Sequence, residues 1–191
     1  MRPALIWSIV TLAIAMPLIA AGMSPLLAWR DPIYIVAGFA GVLGLGLMLL
    51  QPLLAGGLLP GLAPLAARRT HRAIGALLML CVVLHILGLW ITSPPDVIDV
   101  LLFRSPTPFA LWGVIAMWAV FAAALLALFR RRLRWRPRTW RLAHAAMAAL
   151  TVGGTVGHAL LIDGTMEWFS KLVLCVLVLS VSGAVFVRMR L

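Results

Sequence analysis

The stretch that decides the fold of this chain is HRAIGALLMLCVVLH, which runs from His71 to His85. Arg72 is the single charged residue between its two histidines. A second stretch, HAAMAALTVGGTVGH, runs from His144 to His158 with the same spacing of fourteen residues. The chain has 4 histidines, so these two stretches contain all of them. The shared spacing predicts two equivalent segments that each carry a histidine pair.

The composition around these stretches is that of a membrane protein. Hydrophobic residues make up 64% of the chain and charged residues 11%, whereas about a quarter of the residues in a soluble domain are charged. Six apolar runs approach the roughly 20 residues that a spanning helix needs, and only helices satisfy their own backbone in lipid at this length. We therefore predict an all-α membrane protein formed by a single domain, residues 1–191, with six transmembrane helices at approximately 5–21, 33–50, 73–90, 109–129, 139–161 and 168–187.

The charged residues are distributed unequally between the two sides of this six-helix path. One side carries Arg2, Arg68, Arg69, Arg72, Arg130, Arg131, Arg132, Arg134, Arg136, Arg138, Arg141, Arg188 and Arg190. The other carries Arg30, Arg104 and Lys171, together with Asp31, Asp96, Asp99, Asp163 and Glu167. The positive-inside rule then places both termini in the cytoplasm, and we expect a multi-pass protein of the bacterial inner membrane. Topology, and not nucleic-acid binding, explains the net charge of +11.

The N-terminal stretch MRPALIWSIVTLAIAMPLIAAG has features of a signal peptide: Arg2, an apolar segment and small residues near Ala20. We interpret it as a retained first helix. Cleavage would remove one span and leave the orientation of the others unchanged.

Helical geometry places the histidines at two depths in the membrane. A spacing of fourteen residues puts both histidines of a pair on one helix face, about 40° apart around the axis and about 21 Å apart along it. The third and fifth predicted helices run in the same direction. His71 and His144 therefore share an inner level, and His85 and His158 share an outer level. If the two helices face each other, two histidine pairs form, one above the other.

Facing imidazoles in an apolar slot are typical of bis-histidine haem, in which each iron takes one axial ligand from each helix. We predict that His71 with His144, and His85 with His158, are axial ligands, and that each ring donates its other N–H to a carbonyl one turn earlier. Glycines near the histidines would let a porphyrin approach the backbone: Gly75, Gly88, Gly153, Gly154 and Gly157. Candidate partners for the haem propionates are Arg68, Arg69, Arg72, Arg138 and Arg141 at the inner level and Arg104 and Lys171 at the outer level.

The residues alone also allow roles for the histidines that do not involve haem. Histidines inside spans form proton relays or pack through hydrogen bonds to neighbouring helices. A zinc site is disfavoured, because the ligands would be divided between two levels and no carboxylate lies in a predicted span.

The chain resembles the ferric reductase-like transmembrane domain. The resemblance rests on the two quoted stretches, their place on the third and fifth of six helices, and the short loops. This superfamily includes ferric reductases, NADPH oxidases and the haem-binding subunit of the bacterial periplasmic methionine sulfoxide reductase system. The resemblance implies two haem b groups on the four histidines and electron transfer from the cytoplasm to the outer face.

The sequence departs from members of this superfamily in two ways that affect the expected function. Ferric reductases and NADPH oxidases add a flavin- and nicotinamide-binding domain, and the sequence predicts a membrane electron-transfer subunit without one. The stretch RRTHRAIG resembles the methionine sulfoxide reductase haem subunit, which carries arginine where His71 stands; His71 argues for two haems here. The donor would be a cytoplasmic flavin reductase or a membrane quinol, and the acceptor a periplasmic oxidoreductase or a metal chelate. A quinol-oxidising two-haem cytochrome b and a non-redox protein with a histidine proton relay are the alternatives.

Overall fold

The computed structural model describes residues 3–189. Arg2 and Arg190, which were assigned to the inner side, lie outside the described residues. Six long helices are apolar enough to cross a membrane, which confirms the predicted all-α, six-span architecture. The helices are α1 Pro3–Gly22, α2 Pro32–Ala55, α3 Pro64–Thr92, α4 Pro94–Leu101, α5 Pro108–Leu128, α6 Arg130–Leu133, α7 Pro137–Leu161 and α8 Trp168–Arg188, with a 3₁₀ turn at Pro25–Leu27.

Prolines mark where four of the long helices begin, and the Asp31 and Glu167 side chains cap the starts of α2 and α8. Pro32, Pro64, Pro108 and Pro137 each stand in the first turn of a helix, where the missing N–H costs no hydrogen bond. The helix α3 consequently begins nine residues before the predicted Ala73. Its first turns carry arginines that a count of apolar residues leaves outside the span.

The helices pack as two antiparallel hairpins that α8 joins. The helix α3 lies along α2, and α7 lies along α5. The helix α8 packs against both α2 and α7, and α1 packs on the outside against α2 and α8. The main core therefore forms among α1, α2, α7 and α8, where Leu174, Cys175 and Val178 are fully buried.

Contacts between loops show which helix ends lie together. At one end, the Trp7 indole donates to the Pro60 carbonyl at 3.2 Å, and a Cβ on Gly56 would stand 2.8 Å from Val185. The loop between α2 and α3 folds back here and buries Leu59 in the main core. We call this the inner end; it holds the start of α1 and the end of α8. At the outer end, a shared cavity is lined by Ala20, residues 23–26, Gly164, Met166 and Glu167.

Candidate cofactor site

His85 of α3 and His158 of α7 face each other at the outer level. Their ring centres are 6.4 Å apart and the ring planes are nearly perpendicular, at 80°. The helices α3 and α7 make almost no backbone contact with each other. The two imidazoles thus face each other across a space between α3 and α7. The helix α3 packs against α2, and α7 packs against α5.

Backbone carbonyls of the neighbouring helices fix the orientation of both outer rings. His85 Nδ1 lies 2.7 Å from the carbonyl oxygen of Ala37 in α2, and His158 Nδ1 lies 2.9 Å from that of Phe109 in α5. A carbonyl oxygen can only accept, so each Nδ1 carries the proton and each Nε2 keeps a free lone pair. We expected acceptors one turn earlier on the same helix. That expectation is wrong, because the antiparallel neighbour approaches closely enough to supply them.

Two glycines make room for the outer rings. A Cβ on Gly41 would stand 3.1 Å from His85 Nδ1, and a Cβ on Gly113 would stand 2.7 Å from His158 Nδ1. Each glycine follows the accepting carbonyl by four residues, which is one helical turn. Gly41 belongs to the stretch GVLGLG, and neither it nor Gly113 was predicted to lie at the site. The sequence gives no direct signal for these two glycines, because the carbonyls that they accompany can belong to any residue.

At the inner level, His71 is joined to Gln51 of α2 at two points. His71 Nδ1 lies 3.2 Å from the backbone oxygen of Gln51, and the Gln51 side-chain amide donates to the backbone oxygen of His71 at 3.3 Å. The first contact leaves Nε2 of His71 unprotonated, as at the outer level.

His144, also at the inner level, has a different environment. Its ring stacks on Trp140, with ring centres 5.1 Å apart and planes 9° apart. The carbonyl of Ala123 in α5 lies near His144, but Nδ1 is buried without a hydrogen-bond partner of regular geometry. Trp140 was not predicted at the site, although a residue four positions before a histidine on a helix lies beside that histidine.

The carbonyls that neighbour the histidines repeat the histidine spacing. Ala37 and Gln51 on α2 are fourteen residues apart, and so are Phe109 and Ala123 on α5. An apolar layer that includes Leu78, Cys81, Val120 and Phe121 packs between these two levels. The two levels are therefore built alike on both hairpins, with His144 as the exception.

The glycines predicted to admit a porphyrin have several roles. A Cβ on Gly88 would stand 2.6 Å from Ala37, one on Gly154 2.9 Å from the Trp112 carbonyl, and one on Gly157 3.0 Å from the Trp112 ring. These three glycines permit close helix packing. Gly75 lies beside Gln51, and Gly153 faces open space.

The predicted propionate partners are placed at the expected ends but make no described contact with the histidines. Exposed side chains near the inner ends of α3 and α7 are those of Arg68, Arg69, Arg72, Arg138 and Arg141, and Arg104 is exposed in the loop before α5. Lys171 is only 4% exposed, and its ammonium donates to the Ile162 carbonyl at 2.9 Å. Lys171 therefore caps the end of α7, one turn beyond His158.

The outer pair fits axial ligation of one iron. An imidazole nitrogen binds a first-row metal at about 2 Å, so two rings on opposite sides of one ion have centres about 6 Å apart. The observed 6.4 Å agrees with this. Residues 3–189 contain no group of three or more His, Cys, Asp or Glu side chains that could enclose a metal ion, and a porphyrin iron needs only two protein ligands.

The family comparison gives a positive match. The family model described as ferric reductase like transmembrane component matches residues 37–155, more than half of the chain. The chain belongs to this ferric reductase-like family. The matched range contains His71, His85 and His144, together with Ala37, Gln51 and Gly113, and it ends before His158. Searches of curated proteins and of solved structures gave no significant match.

Proposed function

We propose that this ferric reductase-like protein is a transmembrane electron-transfer protein that binds two haem b groups. His85 and His158 would be the axial ligands of the outer haem, and His71 and His144 those of the inner haem. The observation that carries the proposal is the outer pair: two imidazoles 6.4 Å apart, each with Nδ1 directed to a backbone carbonyl.

The chain's residues prepare these histidines for iron. Carbonyl acceptors at Ala37, Gln51 and Phe109 hold the Nδ1 proton, which leaves Nε2 as the ligating atom and makes the imidazole more basic. Gly41 and Gly113 let the rings reach those carbonyls. The apolar layer between the levels excludes water. Bound haem would supply reversible one-electron chemistry at each level, which is how two such sites carry electrons across a membrane.

The direction of transfer follows from the arginine distribution. We place the inner end, both termini and the arginine-rich loop on the cytoplasmic side of a bacterial inner membrane. A cytoplasmic flavin reductase or a membrane quinol would donate to the inner level, and a periplasmic oxidoreductase or a metal chelate would accept from the outer level. The exposed arginines 130–132 offer an acidic reductase a complementary surface.

A dithionite-reduced minus oxidised spectrum of the detergent-purified protein, with the haem content determined per chain, tests the proposal. We expect a b-type spectrum and two haems per chain. The variant lacking all four histidines is the matched blank and should bind no haem. A colourless wild-type protein from cells with an ample haem supply would contradict the proposal. Reduction by a quinol analogue, compared with reduction by a flavoprotein, then distinguishes the two classes of donor.

A further inference from the structure

One of the four histidines is held differently from the others. His71, His85 and His158 each place Nδ1 within 3.2 Å of a backbone oxygen on the neighbouring helix. His144 Nδ1 is also buried, and the Ala123 carbonyl lies close to it, but the contact lacks regular hydrogen-bond geometry. The Ala123 carbonyl nonetheless occupies the position on α5 that the fourteen-residue spacing assigns to it. The difference therefore comes from the orientation of the His144 ring and not from a missing acceptor.

Trp140 accounts for the orientation of this ring. The two rings stack within 9° of parallel, so the indole fixes the plane of the imidazole. Trp140 is itself held in place, because its Nε1–H donates to the Leu126 carbonyl at 2.8 Å. The Arg130 guanidinium lies 4.5 Å from the centre of the Trp140 ring, where a cation and an indole attract each other. The contacts form a continuous series from an exposed arginine to His144.

We propose that Trp140 is a positioning residue that holds the His144 ring in a plane where its hydrogen bond with the Ala123 carbonyl is poorly aligned. The proposal rests on the proposed function, in which His144 ligates the inner haem. A ligand whose Nδ1–H makes only a poorly aligned hydrogen bond is less basic and stabilises ferric iron less. Trp140 therefore keeps the midpoint potential of the inner haem above the value it would have with four equivalent histidines.

Redox titration of three single variants tests this assignment. In Trp140→Leu the stacking partner is lost and the His144 ring is free to turn towards Ala123. We expect two haems per chain, a lower midpoint potential for one of them, and altered low-spin EPR g values for that haem alone. Trp140→Phe retains an aromatic face and should stay close to wild type. Trp118→Leu is the matched control: this indole is 54% exposed and packs edge-on against Phe121, so neither potential should move.

A measurement on the wild-type protein keeps the proposal testable if Trp140→Leu does not fold. In the reduced, diamagnetic protein labelled with ¹⁵N-histidine, we expect three ligand Nδ1–H groups with strongly hydrogen-bonded proton shifts and one with the shift of a weaker hydrogen bond. Four signals with equally strong hydrogen bonds, or unchanged potentials and g values in Trp140→Leu, would overturn the role of Trp140 and leave the two-haem function intact. A wild-type protein without haem would overturn both.

Discussion

Gly113 of α5 lies so close to His158 of α7 that a Cβ at position 113 would stand 2.7 Å from the imidazole Nδ1. Real Cβ atoms essentially never show such a contact. The neighbouring atom is not the tip of a flexible chain, because His158 is bound to the Phe109 carbonyl at 2.9 Å. The absence of a side chain at position 113 is therefore part of how the outer imidazole is positioned.

Gly113→Ala should accordingly displace the His158 ring. We expect loss or weakened retention of one haem and a destabilisation of about 1–3 kcal/mol, the usual cost of overpacking a tight site. Haem content per chain and thermal unfolding measure the two effects. Gly183→Ala on α8 is the matched control, because a Cβ there meets no atom within 4 Å. It should keep both haems and gain a little stability from the better helix former. Full haem content in Gly113→Ala would contradict the proposed role of this glycine at the outer site.

His85 and His158 should behave as one unit when they are replaced. If both ligate the same iron, His85→Leu and His158→Leu should each lower the haem content from two per chain to one. The double variant should lose no more than either single variant, because groups that share one partner are not additive. Haem stoichiometry of the four proteins checks this. A double variant with no haem would show that the two histidines serve different sites.

Replacing the Gln51 side chain should weaken haem binding at the inner level only. Gln51→Leu removes the side-chain amide that donates to the His71 backbone oxygen and leaves the Gln51 backbone oxygen in place for His71 Nδ1. A neutral hydrogen bond contributes about 1 kcal/mol, so we expect both haems to bind and one to dissociate more readily. Transfer of haem to an apo-globin acceptor measures the dissociation rate of each of the two haems. An equal increase in both dissociation rates would argue against a local role of Gln51.

The parts of this architecture that the sequence predicts are those fixed by local periodicity. Each span is a mostly apolar run, and the fourteen-residue spacing together with the shared direction of the third and fifth spans places His85 and His158 at one level. The acceptors at Ala37 and Phe109 were not predictable in the same way, because a carbonyl has no sequence signature. They depend on which helix packs beside α3 and α7. The stack of Trp140 on His144, in contrast, is a local relationship that the spacing of four residues could have revealed.

The capping of α8 gives a prediction for acidic conditions. Glu167 accepts hydrogen bonds from the backbone N–H groups of Phe169 at 2.6 Å and Ser170 at 2.8 Å. These bonds, with Ser170 the larger contributor, lower the pKa of the Glu167 carboxyl. A lowered pKa in the folded state means that the ionised group stabilises the protein above the ordinary glutamate pKa, and that this is lost as the pH falls through the lowered value.

Glu167→Gln should therefore unfold at a lower temperature than wild type at about pH 7, and the difference should be smaller at about pH 3, below the ordinary glutamate pKa. Thermal unfolding in detergent at both pH values measures it. The two proteins differ only at position 167, so the comparison isolates that side chain. A difference of the same size at both pH values would mean that the shape of the side chain, and not its charge, caps the helix.

The proposed direction of electron transfer depends on the side of the membrane that the arginines occupy, and paired cysteine labelling determines that side. The native Cys81 and Cys175 are buried, so they give little background. Asp163 in the loop between α7 and α8 and Arg134 in the loop before α7 are both exposed. In spheroplasts, an impermeant maleimide should label Asp163→Cys at once and Arg134→Cys only after lysis. The opposite pattern would put the arginine-rich face outside, where the positive-inside rule does not allow it, and would reverse the assignment of donor and acceptor to the two haem levels.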